Sequence, residues 1–358
     1  MKTRDYVLVN AQNISDSQTF TKDLKSGLKI QELRVIYQAG NGTTSNTLGK
    51  LNGQVSKLEV LDGSEVLHSL SFRQEQARDY FLTGRLPFQQ LSQKASATVI
   101  EEADIYFGRF PGDREYYFDT SRFSNVQLAL THALTLSTTA GFTTLTGYLT
   151  VIAKLIEDGA LPCKGFIMSK QADAYTTVSS AFRTTDLPVK NDYQSLMFGA
   201  LETLIEPDVD ISNYKLTLDD DKYVPFNLSA LQILQENIRR LPAVRQRMTY
   251  LNATTDSWLS DVYGRMSAWK GPVGATALGT AGVVTAERVT GVGVTGETGD
   301  VYYNIRGYCP HSFLEWVFGD GREVDDYLKV AGLSKAELIA TDAAAGGAYT
   351  VVTNQLRS

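Results

Sequence analysis

Apolar and polar residues alternate along most of this chain, which is the pattern of β-strands that bury one face. Two stretches combine this alternation with a helical segment: KLEVLDGSEVLHSLSFRQEQARDYFLTGRLP, residues 57–87, and KLTLDDDKYVPFNLSALQILQENIRRLP, residues 215–242. Each has two alternating segments around an acidic turn, then a Ser-x-x-Gln box and an Arg-Leu-Pro ending. The opening lysine precedes the serine of the box by 14 residues in both, Lys57 to Ser71 and Lys215 to Ser229. The chain therefore repeats one strand–turn–strand–helix unit.

Both units carry the signal for the start of a helix. A serine at the N-cap and a glutamine three residues later form a capping box, in which each side chain bonds the other residue's backbone N–H. Ser71 with Gln74 and Ser229 with Gln232 fit this box. Apolar residues at helical spacing predict the buried stripes, which are Ala77, Tyr80 and Phe81 in the first helix and Leu231, Leu234, Ile238 and Leu241 in the second.

The same patterns predict the remaining elements. Strands are expected over residues 19–24, 28–38, 97–107, 176–183, 193–204, 245–251, 301–308, 313–318 and 349–354. Two short helical pieces are expected near the C-terminus, over 324–330 and after a box of Ser334 with Glu337. Residues 123–153 lack charge but alternate with period two, whereas a spanning helix needs about 20 nearly unbroken apolar residues. We therefore expect a hairpin over 123–156, turning at residues 137–141.

Many short strands and few helices favour an all-β fold, in the form of two tandem eight-stranded antiparallel jelly rolls. Asp158-Gly159 and Pro162 mark the division between the halves. The expected units are residues 1–160 and residues 161–358, each of normal domain length. A segment rich in Gly, Thr, Val and Ala predicts a long loop insertion in the second unit, near residues 252–300.

Composition excludes some function classes. The 358 residues carry a net charge of −6, so no global positive field is available to hold a phosphate backbone. Direct nucleic-acid binding is therefore not expected. The two cysteines, Cys163 and Cys309, lack a CxxC partner and are interpreted as free thiols in a reducing compartment. The N-terminus has no apolar segment of signal-peptide length.

Each residue that could carry chemistry also fits a structural role. Gly291-x-Gly293-x-x-Gly296 matches a dinucleotide fingerprint in letters but leads into a strand pattern and not a helix, so we interpret it as a loop. His68, His132 and His311 lack metal-ligand spacing and suit hydrogen-bonded structural histidines. Cys163 with His311 and an aspartate forms a nucleophile and base only if the fold brings them together.

Acidic and aromatic residues leave further alternatives open. Asp208, Asp210 and the triplet 219–221 offer oxygens for calcium, or form solvated turns. Glu101, Glu102 and Asp104, or the aspartates of residues 208–221, indicate a hydrolase only if they converge in a cleft. Trp258, Tyr263, Trp269 and Trp316 suit either a sugar site or packing. No catalytic, cofactor or metal residue is assigned.

The plan of the chain resembles the double jelly-roll major capsid proteins. The likeness rests on the paired hairpins, the boxes at Ser71 and Ser229, and the endings Arg85-Leu86-Pro87 and Arg240-Leu241-Pro242. This family forms the shells of adenovirus-like viruses and of tailless, lipid-containing icosahedral phages; the plan here is most similar to the Flavobacterium phage FLiP. The likeness covers roughly residues 19–354 and carries no catalytic motif.

The resemblance implies a structural protein and not an enzyme. It implies a homotrimer whose six rolls form a pseudo-hexagonal capsomer of an icosahedral shell. Partners would be neighbouring capsomers, penton or minor capsid proteins and an internal lipid membrane, with no nucleic acid and no small-molecule substrate. The protein would be made in the host cytoplasm and located in the virion. A carbohydrate- or receptor-binding spike or adhesin is the alternative.

Overall fold

A computed structural model describes residues 2–14, 16–201, 206–251, 257–259, 262–263, 267–271, 283–284, 288–290 and 300–358. The first half contains one helix, α1, and ten strands. Their bounds are β1 Lys2–Asn13, β2 Ser17–Asp23, β3 Lys29–Gly40, β4 Val55–Asp62, β5 Glu65–Leu70, α1 Phe72–Thr83, β6 Gln89–Ser92, β7 Thr98–Tyr106, β8 Phe118–Asp119, β9 Val126–Ala133 and β10 Tyr148–Asp158.

Eight of these strands form a jelly roll. One sheet has the order β1-β10-β3-β7 and the other β2-β9-β4-β5, with antiparallel pairing throughout. The short strands β6 and β8 are additions that pair with β7 and β3. Apart from the hairpin of β4 and β5, consecutive strands of the roll alternate between two facing sheets, which places the alternating apolar residues of both sheets in one shared core.

The second half continues in chain order with helices α2 and α3 and strands β11 to β26. Their bounds are β11 Phe166–Thr176, β12 Phe182–Asp186, β13 Tyr193–Leu201, α2 Pro207–Asp210, β14 Ile211–Leu218, β15 Tyr223–Ser229, α3 Ala230–Arg240, β16 Val244–Leu251, β17 Ser257–Leu259, β18 Val262–Tyr263, β19 Ser267–Gly271, β20 Val283–Val284, β21 Arg288–Thr290, β22 Asp300–Gly307, β23 Cys309–Pro310, β24 Phe313–Val317, β25 Ala336–Asp342 and β26 Ala348–Arg357.

The second jelly roll has the same strand order as the first. Its sheets are β11-β26-β13-β24 and β12-β25-β14-β15. Strand for strand these match β1-β10-β3-β7 and β2-β9-β4-β5, and the helix follows the same strand in each roll, α1 after β5 and α3 after β15. The predicted two tandem eight-stranded jelly rolls are thus confirmed. Strands β16 to β23 lie in the connection between α3 and β24, so this insertion into the second roll begins before residue 252.

Hydrogen bonds join the sheets of the two rolls. Strand β5 pairs in parallel with β11 through Ser69 and Lys170, which makes one continuous sheet of eight strands. Strand β16 pairs in parallel with β6 through Met248 and Leu91. Because β5 and β11 point the same way, the two rolls stand side by side with equivalent connections at the same end.

Both capping boxes are present as predicted. In α1 the N–H of Gln74 donates to the Ser71 hydroxyl and the N–H of Ser71 donates to the Gln74 side chain; Ser229 and Gln232 make the same pair of bonds in α3. The predicted stripe of α3 is wrong at one position, since Leu231 is 39% exposed while Ile233 is buried.

The hairpin predicted over residues 123–156 is wrong. Strand β9 pairs with β2 and β4, whereas β10 pairs with β1 and β3 in the opposite sheet. Both strands bury one face in the same core, and alternation shows which face is buried but not which sheet the strand joins. Residues 134–147 connect the sheets at one end of the roll.

Three smaller predictions also fail. Residues 176–183 are not one strand, because β11 ends at Thr176 and β12 begins at Phe182. Residues 324–330 contain only one 3₁₀ turn, Val324–Asp326. Ser334 does not start a helix, because its N–H and hydroxyl both donate to the carboxylate of Asp219 and strand β25 follows.

The equal lysine spacing of the two units has no structural counterpart. Strand pairing sets Leu70 opposite Leu58 in the first hairpin but Leu228 opposite Tyr214 in the second. The second turn is two residues longer, so the residue equivalent to Lys57 is Asn213 and not Lys215. The match of strand β5 with β15 and of α1 with α3 is unaffected.

Candidate functional site

The junction between the two jelly rolls is centred on α1. The helix begins at the Ser71 capping box and ends at Gly84, whose φ of 74° is the left-handed conformation that glycine adopts without a Cβ penalty. Nine of its residues are buried, among them five polar or charged ones, Gln74, Glu75, Gln76, Arg78 and Asp79. A surface helix would expose these side chains, so α1 is enclosed by both rolls.

A buried charge cluster lies under this helix. Glu75 is fully buried, and its carboxylate lies 2.7 Å from Nε2 of His68 and 3.2 Å from Nη1 of Arg78. Nη2 of Arg78 donates to the carbonyl oxygen of Tyr106 at 2.7 Å. Burial by itself raises the pKa of Glu75, but the contacts with His68 and Arg78 outweigh it and lower the pKa. The carboxylate is therefore ionised and held between two partners.

Polar side chains of α1 also reach the second roll. Nε2 of Gln74 donates to the side chain of Gln171 in β11 at 2.7 Å. Gln76 bonds Nε2 of His311 at 2.8 Å, and the hydroxyl of Tyr80 donates to the carbonyl oxygen of Pro242 at 2.8 Å. These bonds connect residues more than 90 positions apart, and they fix the second roll against the first.

Further bonds hold the outer parts of the junction. Arg357 at the end of β26 pairs with Glu65 at the start of β5, with N–O distances of 2.5 and 3.1 Å. Nε2 of Gln194 donates to the carbonyl oxygen of Arg109 at 3.0 Å. The junction is therefore polar at many points, as interfaces between domains commonly are.

The acidic residues proposed for a hydrolase do not converge in a cleft. Glu101 and Glu102 are neighbours on β7, so their side chains leave opposite faces of the sheet. Glu101 accepts from the N–H of Asn52 and from Gln76, and is buried beneath α1. Glu102 shares its face with Asp104, beside Arg34.

Asp104 belongs to a compact ion-pair network. Arg34 lies 3.1 Å from Asp104 and 3.0 Å from Glu32, which also pairs with Lys154 at 2.9 Å. Burial and the nearby Glu32 raise the pKa of Asp104 to about 6 in spite of Arg34. Three acids, Glu32, Glu102 and Asp104, share one guanidinium here, an arrangement that structural ion-pair networks also produce.

The aspartates proposed for calcium are also separated. Asp210 precedes β14 and accepts from the Thr177 hydroxyl at 3.2 Å, whereas the triplet 219–221 follows this eight-residue strand. An eight-residue strand spans roughly 26 Å. Asp219 caps Ser334, and Asp221 pairs with Lys215 at 2.7 Å. Within the described residues no group of three His, Cys, Asp or Glu side chains could hold a metal ion.

The remaining candidates have structural partners or lie outside the described part. His132 bonds the Tyr37 hydroxyl at 2.9 Å, and burial lowers the pKa of this histidine. Cys163 lies against the Tyr117 carbonyl just before β11, while His311 lies beside α1, so the fold does not bring this candidate pair together. Gly291–Gly296 and the side chains of Trp258, Tyr263 and Trp269 lie outside the described residues.

Trp316 borders an open cavity on the second roll. Its ring packs on Phe226, with ring centroids 4.8 Å apart. The cavity has a volume of about 460 Å³ and contains both aromatic and charged side chains, including Tyr223, Phe318, Lys222, Lys329 and Asp326. The cavity lies beside the edge strand β15.

Comparison with known proteins depends on structure alone. No protein-family model and no curated protein sequence matches this chain. The crystal structure of the MCP of STIV, Sulfolobus turreted icosahedral virus, is similar at a TM-score of 0.61, with 11% identity, over 99% of this chain and 96% of that one. The major capsid protein of bacteriophage PM2 is similar at a TM-score of 0.54, with 9% identity, over 100% of this chain and 98% of that one.

A third similarity is to the quasi-atomic capsid of virus PBCV-1, at a TM-score of 0.56 and 9% identity, over 99% of this chain and 93% of that one. The chain has the double jelly-roll fold. At such identities the likeness extends to the fold and carries no residue roles. No helix within the described double jelly roll is both long and apolar enough to cross a membrane.

The sequence did not predict the buried charges of this double jelly roll. Glu75 and Arg78 have helical spacing and look like a solvated pair on the outer face of α1. Glu75 is buried because it faces its own roll, against His68 of β5, at the position that the buried Ile233 holds in α3. The spacing of charges along a helix does not show that one of them faces the core. The one available signal was the composition of α1, in which polar residues surround a stripe of only three apolar ones.

Proposed function

We propose that this chain is the major capsid protein of an icosahedral virus and acts as a structural building block. The observation that carries the proposal is the pair of rolls with identical strand order standing side by side and pointing the same way. The structural similarity to the MCP of STIV and to the major capsid protein of bacteriophage PM2 supports it.

The functional unit is a homotrimer. Three chains with two similar rolls each place six rolls around one axis, and this gives a pseudo-hexagonal outline that tiles a shell. The proposal divides the chain into a roll of residues 1–160 and a roll of residues 161–358, with the insertion near 252–300. Obligate interfaces of such an assembly bury upward of about 2,000 Å².

The proposed partners are other copies of the chain, neighbouring capsomers, penton or minor capsid proteins and an internal lipid membrane. Strand β1 begins and strand β26 ends at the same end of the rolls, opposite the connection of residues 134–147. That end is proposed to face the membrane. The acidic charge of −6 fits a shell that lipid separates from the genome. The proposal locates the chain in the virion after synthesis in the host cytoplasm.

The proposal includes no catalytic, cofactor or metal residue. The acidic residues that were candidates for chemistry have structural partners instead: Glu101 beneath α1, Asp104 in its ion-pair network and Asp219 in a turn cap. Their burial and pairing serve packing and orientation within the fold.

The oligomeric state tests this function. Purified chain at high concentration should have a mass of about 118 kDa by light scattering after size exclusion, three times 39.4 kDa. A strict monomer over the whole concentration range contradicts the proposal. Glycan-array binding that the Trp316→Ala variant loses would favour the spike or adhesin instead, because the aromatic cavity beside Trp316 is the feature that supports it.

A further inference from the structure

The two helices of the repeated unit differ in what covers them. In α1 the residues Gln74, Ala77, Arg78 and Phe81 are buried, between 0% and 5% exposed. The equivalent residues of α3 are Gln232, Gln235, Glu236 and Arg239, and all four are exposed. The cover of α1 comes from the second roll of the same chain. The second roll has no third roll beside it, so the same face of α3 is open.

The strands beside these helices show the same difference. Strand β5 pairs with β4 on one side and, through Ser69 and Lys170, with β11 on the other. The equivalent strand β15 is at the edge of its sheet, and its residue equivalent to Ser69 is Asn227. Strand β1, which is equivalent to β11, is likewise the edge of its own sheet. Edge strands leave backbone donors and acceptors available for pairing.

Matching irregularities fix which residues of β1 and β11 correspond. In β11 the register with β26 shifts once, between Gln171 and Asp173, where one residue of β11 is skipped. Of the three register shifts between β1 and β10, only the one between Val7 and Val9 likewise skips a single residue of β1 and none of its partner strand. Val7 is therefore the counterpart of Gln171, the residue that bonds Gln74 on α1. The counterpart of Lys170 is Tyr6.

We propose that α3 and β15 of one copy bind β1 of a second copy in the way that α1 and β5 bind β11 within the chain. Asn227 then pairs in parallel with Tyr6 of the second copy, and Gln232 lies against its Val7. This inference rests on the proposed homotrimer and specifies the surface that builds it.

The side chains of the two open surfaces suit contact with each other. Val7 is 50% exposed, Tyr223 61% and Leu231 39%, so both surfaces present apolar side chains to solvent in the single chain. At the end of β15 Tyr223 occupies the position that Glu65 holds in β5. Glu65 pairs with Arg357 of β26, and the residue of β10 equivalent to Arg357 is Glu157. Glu157 pairs with Arg4 at 2.8 Å, and this places a guanidinium where the Tyr223 ring arrives.

The interface is heterologous, because one copy uses α3 and β15 and the other uses β1. Such contacts close into a ring or continue as a filament. A ring of three copies is the closed form with six rolls, and in it each open α3 and each open β1 finds one partner.

Crosslinking tests the surface directly. In a Cys163→Ser background, Val7→Cys combined with Gln232→Cys should give covalent dimers and trimers with a short bis-maleimide on a denaturing gel. Thr19→Cys on the other edge strand, β2, combined with Gln232→Cys, should give none. Co-expression of the two single variants, Val7→Cys in one copy and Gln232→Cys in another, should give dimers but no covalent trimer, because a mixed ring contains only one reactive junction.

A charge on the surface provides a second, independent test. Val7→Asp should convert the trimer to a monomer with unchanged circular dichroism, whereas Val178→Asp, at a residue that is also 50% exposed, should leave the trimer intact. A 118 kDa trimer that neither crosslinks through Val7 and Gln232 nor responds to Val7→Asp overturns this interface and leaves the proposed function standing. A strict monomer in the unmodified protein overturns both.

Discussion

Arg78→Met tests whether the charge cluster under α1 is as desolvated as the structure places it. Methionine keeps much of the length of the arginine side chain but removes its charge. Arg78 is 4% exposed and Glu75 is 0% exposed in this pair. The substitution removes the contact with the Glu75 carboxylate and the bond to the Tyr106 carbonyl, and leaves His68 as the only remaining partner in the cluster.

The expected magnitude follows from the burial. Removing one partner of a buried ion pair costs about 3–5 kcal/mol, because an uncompensated charge stays in the interior. Arg78→Met should therefore lower the free energy of unfolding by about that amount. Glu75→Gln combined with Arg78→Met should recover at least about 2 kcal/mol of the loss, because no unpaired charge is then buried.

Guanidinium denaturation followed by circular dichroism measures these differences. Lys335→Met is the matched control: it breaks the pair of Lys335 with Glu337, whose lysine side chain is 44% exposed, and should leave the midpoint unchanged. A loss below about 1 kcal/mol for Arg78→Met, or a double variant less stable than the single one, would show that water reaches the charges of this cluster.

Three further predictions concern single residues. Ser71→Ala and Ser229→Ala should each cost about 1 kcal/mol in the free energy of unfolding, measured by denaturation, because each removes an observed capping bond. Asp104 has a folded pKa of about 6, above its unfolded value, so its contribution to stability is present at low pH and is lost as the pH rises through that value. The free energy of unfolding of Asp104→Asn, relative to that of wild type, should therefore increase by about 1.4 kcal/mol as the pH rises from about 5 to about 7.5. Gly199→Ala should abolish soluble folded protein, measured by circular dichroism and size exclusion, because the added Cβ would overlap the carbonyl oxygen of Ser312, the residue just before the adjacent strand β24.

Each of these outcomes can fail in a distinct way. A capping variant with wild-type stability would show that water replaces the serine hydroxyl at no cost. A difference between Asp104→Asn and wild type that stays constant with pH would show that the Asp104 carboxyl does not titrate in this range. A folded Gly199→Ala variant would show that β13 and β24 can separate locally.

The features predictable from the sequence were those with local causes. The capping boxes depend on residues three positions apart, and both formed at Ser71 and Ser229. The alternation in β3 and β10 placed Val35 and Val151 in the core, and both are buried. Repetition of the hairpin and helix was enough to predict two rolls of the same order.

The features that failed have causes that are distant in sequence. Residues 123–156 show which face each strand buries, yet the choice of sheet is made by β2 and β3, more than 80 positions earlier. Leu231 fits a helical stripe but lies on the face of α3 that the second roll leaves open. Glu75 has the helical spacing of a surface ion pair with Arg78 but faces the core of its own roll, where its partner His68 comes from strand β5.

Electron microscopy of negatively stained, purified protein can show the proposed capsomer itself. We expect particles of three copies with a pseudo-hexagonal outline, in which six similar densities surround one axis. A population of single two-lobed particles, or rings whose number of densities is not six, would contradict it.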